Sequence, residues 1–181
     1  MHSSKLCGAL GVLLSFLLLA IGPVRAADLS PRQLVGSSAP DWQLESLDGH
    51  KHTLRQYRGR AVVLTFWAAW CAACHMEANW LNELYAEYQK DGLEILGVSM
   101  DEPGERAAVE EFVKRHRVSY AILLHGQSIA EGYAGVPYLP QTFFIDRNGK
   151  IANATAGIHD KATLAAEVRA ILASVRSTAA H

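Results

Sequence analysis

The sequence predicts an α/β domain, a mixed sheet flanked by helices, and three observations carry that reading. An apolar, β-rich run, Ala61–Trp67, leads into two cysteines, Cys71 and Cys74, where the chain turns into a long helical pattern. Stretches with the strand period and the helix period then alternate towards the C-terminus, the signature of helices packed on a shared sheet. The last two strand-like stretches are joined by Arg147-Asn148-Gly149-Lys150, a hairpin turn, so the sheet contains an antiparallel pair. No internal repeat, low-complexity tract or linker interrupts residues 40–176.

Residues 1–26 stand apart from the fold. His2 and Lys5 precede an apolar run from Leu6 to Ile21, followed by Gly22-Pro23 and Val24-Arg25-Ala26. This is the layout of a secretory signal peptide cut after Ala26. The apolar run is only a little short of a membrane span, so an uncleaved N-terminal anchor is the competing reading. Both make the rest of the chain periplasmic or secreted, with residues 27–181 forming one domain long enough for a proper core. Cys7 leaves with the signal. Cys71 and Cys74 remain, and the loop between them is too small to restrain much chain entropy, so they form no structural framework. Loss of Lys5 and Arg25 takes Lys+Arg from 17 to 15 against 18 acids, a net charge of about −3 with histidine neutral. That balance points away from nucleic acid and from anionic membrane surfaces.

In chain order, Ala39–Glu45 reads as an opening strand, Asp48-Gly49 as a turn and His50–Leu54 as the partner strand. His50 and His52 share one face of that partner, but two histidines without a third ligand read as surface rather than as a metal site. Arg55–Gly59 is a short helical turn before the buried strand Ala61–Trp67. Leu93–Met100 is nearly continuously apolar, hence central in the sheet. Pro103–Arg117 is a helix with Val109, Phe112 and Val113 inside. Tyr120–Leu124 is a strand, and Ser128–Tyr133 a short helix. Two prolines hold Gly135–Pro140 out of regular structure. Gln141–Asp146 and Ile151–Gly157 are the hairpin strands. The last helix starts at Asp160, a good N-cap, and buries Leu164, Val168, Ile171 and Val175.

Two thiols in C-x-x-C spacing where a strand meets a helix form a redox geometry. The first cysteine sits at the helix N-terminus, where unpaired N–H groups favour its thiolate. The second lies one turn further in, able to attack a mixed disulfide and release the product. A helical wheel started from Met76 places Ala73, Trp80, Leu84, Tyr88, Leu81, Cys74 and Tyr85 within one half-turn, with His75, Asn79 and Asn82 opposite. Glu77 lands in the middle of the apolar face, one turn beyond Cys74. A carboxylate there is desolvated, and its pKa rises towards a range useful for proton transfer.

Phe66–Cys74 resembles the active-site segment of the thioredoxin superfamily, and Pro140–Asp146 resembles the loop and strand that carry its cis-proline. More narrowly, four features resemble the TlpA/ResA-like thiol–disulfide oxidoreductases. These are Ala39-Pro40-Asp41 with Leu47-Asp48-Gly49, the lead-in Tyr57–Leu64, an insertion over Asp101–His125, and Glu77. The resemblance spans roughly residues 36–176 and implies a thioredoxin-like fold with an N-terminal strand extension and a helix–strand insertion. It implies Cys71 as nucleophile, Cys74 as resolving thiol and Glu77 as keeper of the Cys74 proton. It also implies a cis Pro140 that presents the backbone of Leu139 to a substrate peptide, with Trp67 and Trp70 as walls. No bound cofactor is required, because the dithiol is the redox centre. The implied activity is reduction of protein disulfides, for instance in cytochrome c maturation, fed by a membrane thiol electron donor. Two departures matter: Ala73 replaces the proline many relatives carry before the second cysteine, and Thr65 replaces thioredoxin's buried aspartate, leaving Glu77 as the nearby acid.

Three other chemistries share these residues. Cys71-Ala72-Ala73-Cys74-His75 spells the attachment signature of c-type haem, with His75 and Met100 as axial ligands. On the wheel, though, His75 lies on the polar face, as a solvated neighbour helping to hold Cys71 as thiolate. Gly97–Glu102 also occurs in peroxiredoxin-like thiol peroxidases, which place a threonine where this chain has Ala68, so no hydroxyl orients peroxide. A Cu(I)-carrying thiol protein would suit two soft thiolates.

Overall fold

The computed structural model describes residues 30–174. The signal or anchor assigned to residues 1–26, and Val175 of the last helix, lie outside the described residues. A small antiparallel hairpin, β1 (Gln43–Glu45) and β2 (Lys51–Thr53), precedes a five-stranded sheet. The sheet comprises β3 (Ala61–Trp67), β4 (Leu93–Ser99), β5 (Ala121–Leu123), β6 (Gln141–Ile145) and β7 (Ile151–Ala156), in the order β5-β4-β3-β6-β7. β3, β4 and β5 are parallel to one another, and β6 is antiparallel to both of its neighbours, β3 and β7. The sheet is mixed, as the sequence predicts. The helices are α1 (Ala72–Tyr88), α2 (Arg106–His116) and α3 (Lys161–Ala173). Among the described residues no helix is long and apolar enough to cross a membrane.

β3 is the middle strand and all seven of its residues are buried. Its side chains alternate between two cores, because successive residues of a strand point to opposite faces. Ala61, Val63 and Trp67 join Leu81 and Leu84 of α1, Phe112 of α2, and Leu164, Val168 and Ile171 of α3. Val62, Leu64 and Phe66 join Trp42, Leu44, Tyr133, Val136 and Phe143 on the other face. Gly97 of β4 pairs with Thr65, and a Cβ there would come within 2.8 Å of Ile122 Cδ1 and 3.0 Å of Trp67 Nε1. Only glycine lets the Trp67 indole lie this close to β4.

The strand extension and the insertion are both present. Ser46 bridges Leu123, and Leu47 N–H donates to Ile122 O at 2.8 Å, so the N-terminal hairpin covers the β5 edge. The insertion supplies α2 and β5. Asp160 caps α3, accepting from Thr163 N–H at 2.8 Å. Two helices differ from expectation. The stretch predicted as a helix from Pro103 opens with a 3-10 turn (Pro103–Glu105) before α2, and Ser128–Tyr133 resolves into two 3-10 turns (Gly126–Ser128 and Ala130–Tyr133). The second is held by tertiary contacts rather than by helix length: Tyr133 is fully buried and its hydroxyl donates to Pro40 O at 2.7 Å.

Candidate active site

β3 ends at Trp67, and Ala68–Trp70 carry the chain to Cys71, which is the N-cap of α1. Cys71 Sγ accepts at 3.2 Å from Cys74 N–H, which it shares with Cys71 O at 3.0 Å, so a donor of the first helical turn already points at this sulfur. Cys71 and Cys74 are joined as a disulfide, with Cα atoms 5.3 Å apart. Cys71 is 6% exposed and Cys74 2%. The loop is tied from below by Asp101, whose two carboxylate oxygens accept from Ala69 N–H at 3.0 and 3.1 Å. Ser99 Oγ donates to the same carboxylate at 2.9 Å. Asp101 is therefore a second buried acid beside the loop, which corrects the expectation that Glu77 stands alone.

Glu77 is only 2% exposed, as its place on the wheel predicts. Thr65 of β3 and Thr142 of β6, paired across the sheet, each donate to Glu77 Oε1 at 3.2 Å, and the two hydroxyls are 2.8 Å apart. Burial pushes the Glu77 carboxyl up to about 7, against the hydrogen bonds from Thr142 and Thr65, which pull it down. Cys74, Glu77, Thr65, Tyr120 and Pro140 line one small recess beneath the disulfide. Burial, and then the Glu77 charge, raises the Tyr120 phenol as well. Thr142→Val should push the Glu77 pKa higher still, seen as an upward move in the pH at which the loss of stability levels off, its onset unchanged.

The apolar arc of α1 is rotated by a step from the predicted one. Ala78, left off the arc, is buried, whereas Met76 at its edge is 52% exposed. Trp67 and Trp70 do not act alike. Trp67 is core, 4% exposed and 4.1 Å from the Phe112 ring, and Trp70 stands out beside the disulfide, 69% exposed. The Leu139–Pro140 bond is cis, and Pro140 O accepts from Gly157 N–H at 2.8 Å. The residues leading there, Ala134, Gly135 and Val136, all have positive φ, costly for a branched Val136 at +49°. Pro140 is buried and Leu139 half-buried.

His75 is not a solvated neighbour. Its ring is half-buried, 4.8 Å from the Phe112 ring, and both its nitrogens are engaged, by Ala69 O and by His116. His50 faces Asp48, and His52 pairs with the Tyr57 hydroxyl at 2.6 Å. Among the described residues no group of three or more His, Cys, Asp or Glu is placed to hold a metal. Sequence reasoning missed Thr142, Asp101, Tyr120 and His116 at this site. Only the strand pairing of Thr142 with Thr65 was available as a signal, and it requires knowing the register.

A model of the AhpC/TSA family matches residues 35–154. The thiol-disulfide oxidoreductase ResA of Geobacillus thermodenitrificans is 40% identical over 153 residues, 83% of this chain and 87% of that protein. The protein of the same name from Geobacillus kaustophilus is 42% identical over 127 residues, 70% of this chain and 72% of its own. Among solved structures, the thioredoxin domain of a thiol-disulfide oxidoreductase from Bacteroides vulgatus superposes with a TM-score of 0.67 at 25% identity, covering 76% of this chain and 97% of that one. MTB DsbF superposes with a TM-score of 0.65 at 27% identity, covering 72% and 94%. With the disulfide at the start of α1, the family match over residues 35–154 and 40% identity to a ResA protein, the chain belongs to the AhpC/TSA family and, within the thioredoxin superfamily, to the ResA-like thiol–disulfide oxidoreductases.

Proposed function

We propose that the protein reduces disulfides of other proteins outside the cytoplasm, as in cytochrome c maturation, and is itself re-reduced by a membrane thiol donor. Thiolate Cys71 attacks a substrate disulfide, forming a mixed disulfide and releasing one substrate thiolate. Cys74 then attacks Cys71 Sγ; the second substrate thiolate leaves and the Cys71–Cys74 disulfide forms. Two electrons pass to the substrate, and Glu77 takes the proton that Cys74 must lose. No bound cofactor enters this cycle.

The single observation that carries this reading is the Cys74–Glu77 recess. A carboxyl held near 7 and buried one turn from the second thiol is poised to exchange a proton near neutral pH. A protein substrate is favoured by the surface. The large apolar side chains exposed among the described residues include Trp70, Met76, Tyr138 and Ile158, which flank the disulfide or the Pro140 loop. Exposed apolar side chains on both sides of the reactive pair suit contact with a polypeptide better than with a small thiol. The backbone of Leu139 beside cis Pro140 would pair with that polypeptide. Peroxide chemistry is disfavoured because Ala68, fully buried, offers no hydroxyl. Haem attachment would need the two sulfurs that here bond to each other, and His75 is already engaged.

Titration of the protein in dithiol redox buffers, followed by Trp70 and Trp67 fluorescence, tests the direction of electron flow. A two-electron midpoint near thioredoxin's value of about −270 mV is expected. A midpoint near DsbA's value of about −120 mV would make it an oxidant and remove the reductive role.

A further inference from the structure

His75 follows Cys74 directly, and its ring belongs to a hydrogen-bonded chain. Its Nε2 lies 2.9 Å from Ala69 O and its Nδ1 lies 2.7 Å from His116 Nε2. Nδ1 of His116 lies 3.2 Å from Asn79 Oδ1. A carbonyl oxygen only accepts, so His75 Nε2 carries a proton. Asn79 donates through its Nδ2 to His75 O at 3.3 Å, which turns its oxygen towards His116, so His116 Nδ1 carries a proton too. The bond between the rings needs a third. Two neutral imidazoles hold only two protons between them.

We propose that His75 and His116 are a positioning pair sharing one extra proton, and that this single charge, one helical turn from Cys71, supports the Cys71 thiolate. Cys71 is the N-cap of α1 and His75 is its fourth helical residue, so one turn of helix separates their backbones. The charge thus adds to the N-terminal donor that already points at Cys71 Sγ. The tether to Ala69 O couples the pair to the loop that carries Trp70. Loss of the extra proton leaves one of the three bonds unmade, or turns the Asn79 amide at the cost of its bond to His75 O.

The surroundings suit one positive charge. His116 is the last residue of α2, at the negative end of that helix. The Phe112 ring lies 4.8 Å from His75 and 4.6 Å from His116, close enough to attract a cation. Asp101, Glu105 and Glu111 line the hollow beside His75 together with Arg115, which Glu111 pairs at 2.6 Å. Lys114 and Arg117 flank His116 in sequence, and α1 presents the neutral amides Asn79 and Asn82. Burial, then His75 and Arg115, hold His116 below the usual histidine value; the His75 contribution opposes a second proton on the pair, and the burial must be offset by the inter-ring bond.

The inference rests on Cys71 being the attacking thiolate, and two readouts on the reduced protein keep the two ideas separable. Side-chain nitrogen NMR should show both rings moving together through one single-proton step. The ultraviolet thiolate absorbance of Cys71 should show a second inflection at the same pH. In His116→Gln the new amide can still donate to His75 Nδ1 but cannot ionise. There the inflection should vanish and the Cys71 pKa should rise by about one unit, a tenfold smaller thiolate fraction. Rings that titrate independently, or an unmoved Cys71 curve in His116→Gln, would overturn the pair and leave disulfide exchange standing. A Cys71 that never forms a thiolate in the unsubstituted protein would sink the exchange assignment itself, and the role of the pair with it.

Discussion

Cys74→Ser should stop turnover by trapping Cys71 in a mixed disulfide with substrate. The resolving thiol acts within the same molecule, and replacing it by external dithiol at millimolar concentration should cost at least about a thousandfold in rate. Cys71→Ser should abolish exchange without any trapped adduct, because Cys74 is the more deeply buried sulfur and has Glu77 rather than solvent beside it. Incubation of each variant with a disulfide-bonded protein, then non-reducing electrophoresis and mass spectrometry of the adduct, reads both outcomes. An adduct on Cys74 in the Cys71→Ser protein would reverse the two roles.

Glu77→Gln should make the protein more stable and less active, with opposite pH dependences. Burial holds the Glu77 carboxyl at about 7 in the folded chain, against an ordinary value of 4.5. Between those values the folded state binds more protons than the unfolded state, so stability falls as pH rises and the full penalty is reached above about pH 7. At roughly 1.4 kcal/mol per unit, the shift corresponds to about 3 kcal/mol. Glutamine fills nearly the same space, can still accept from Thr65 and Thr142, and does not ionise. Urea unfolding of the oxidised protein should therefore favour Glu77→Gln by about 3 kcal/mol at pH 8 and show little difference at pH 4. The exchange rate should fall by about a hundredfold, and the inflection near pH 7 in the pH–rate profile should disappear. Equal urea midpoints at pH 8 would show that the carboxylate is not desolvated. An unchanged pH–rate profile would remove its proton-transfer role.

These two predictions draw on different kinds of information. The cysteine pair and the burial of Glu77 were legible in the sequence, because both depend on spacing along one strand–helix junction. The same local grammar placed Ala61–Trp67 at its observed boundaries, the helix from Cys71, the Asp160 cap and the hairpin around Gly149. Periodicity of 2 or 3.6 residues is a property of neighbouring side chains and needs no knowledge of the partner surface. The wheel was less exact about which way α1 faces, since a rotation of a single step exchanges Ala78 for Met76 at the edge of the buried arc without changing the pattern.

By itself, then, the sequence determined the strand–cysteine–helix unit, the mixed sheet, and an acid buried one turn from the second thiol. The tertiary structure alone decided what surrounds them. Thr142 reaches Glu77 because β6 pairs with β3 in one register, 77 residues from Thr65 along the chain. His116 reaches His75 across 41 residues, where α2 ends against α1. Trp67 is core and Trp70 is surface because the strand stops between them. Such contacts join segments far apart in the chain, and their positions follow from packing rather than from the period of either segment.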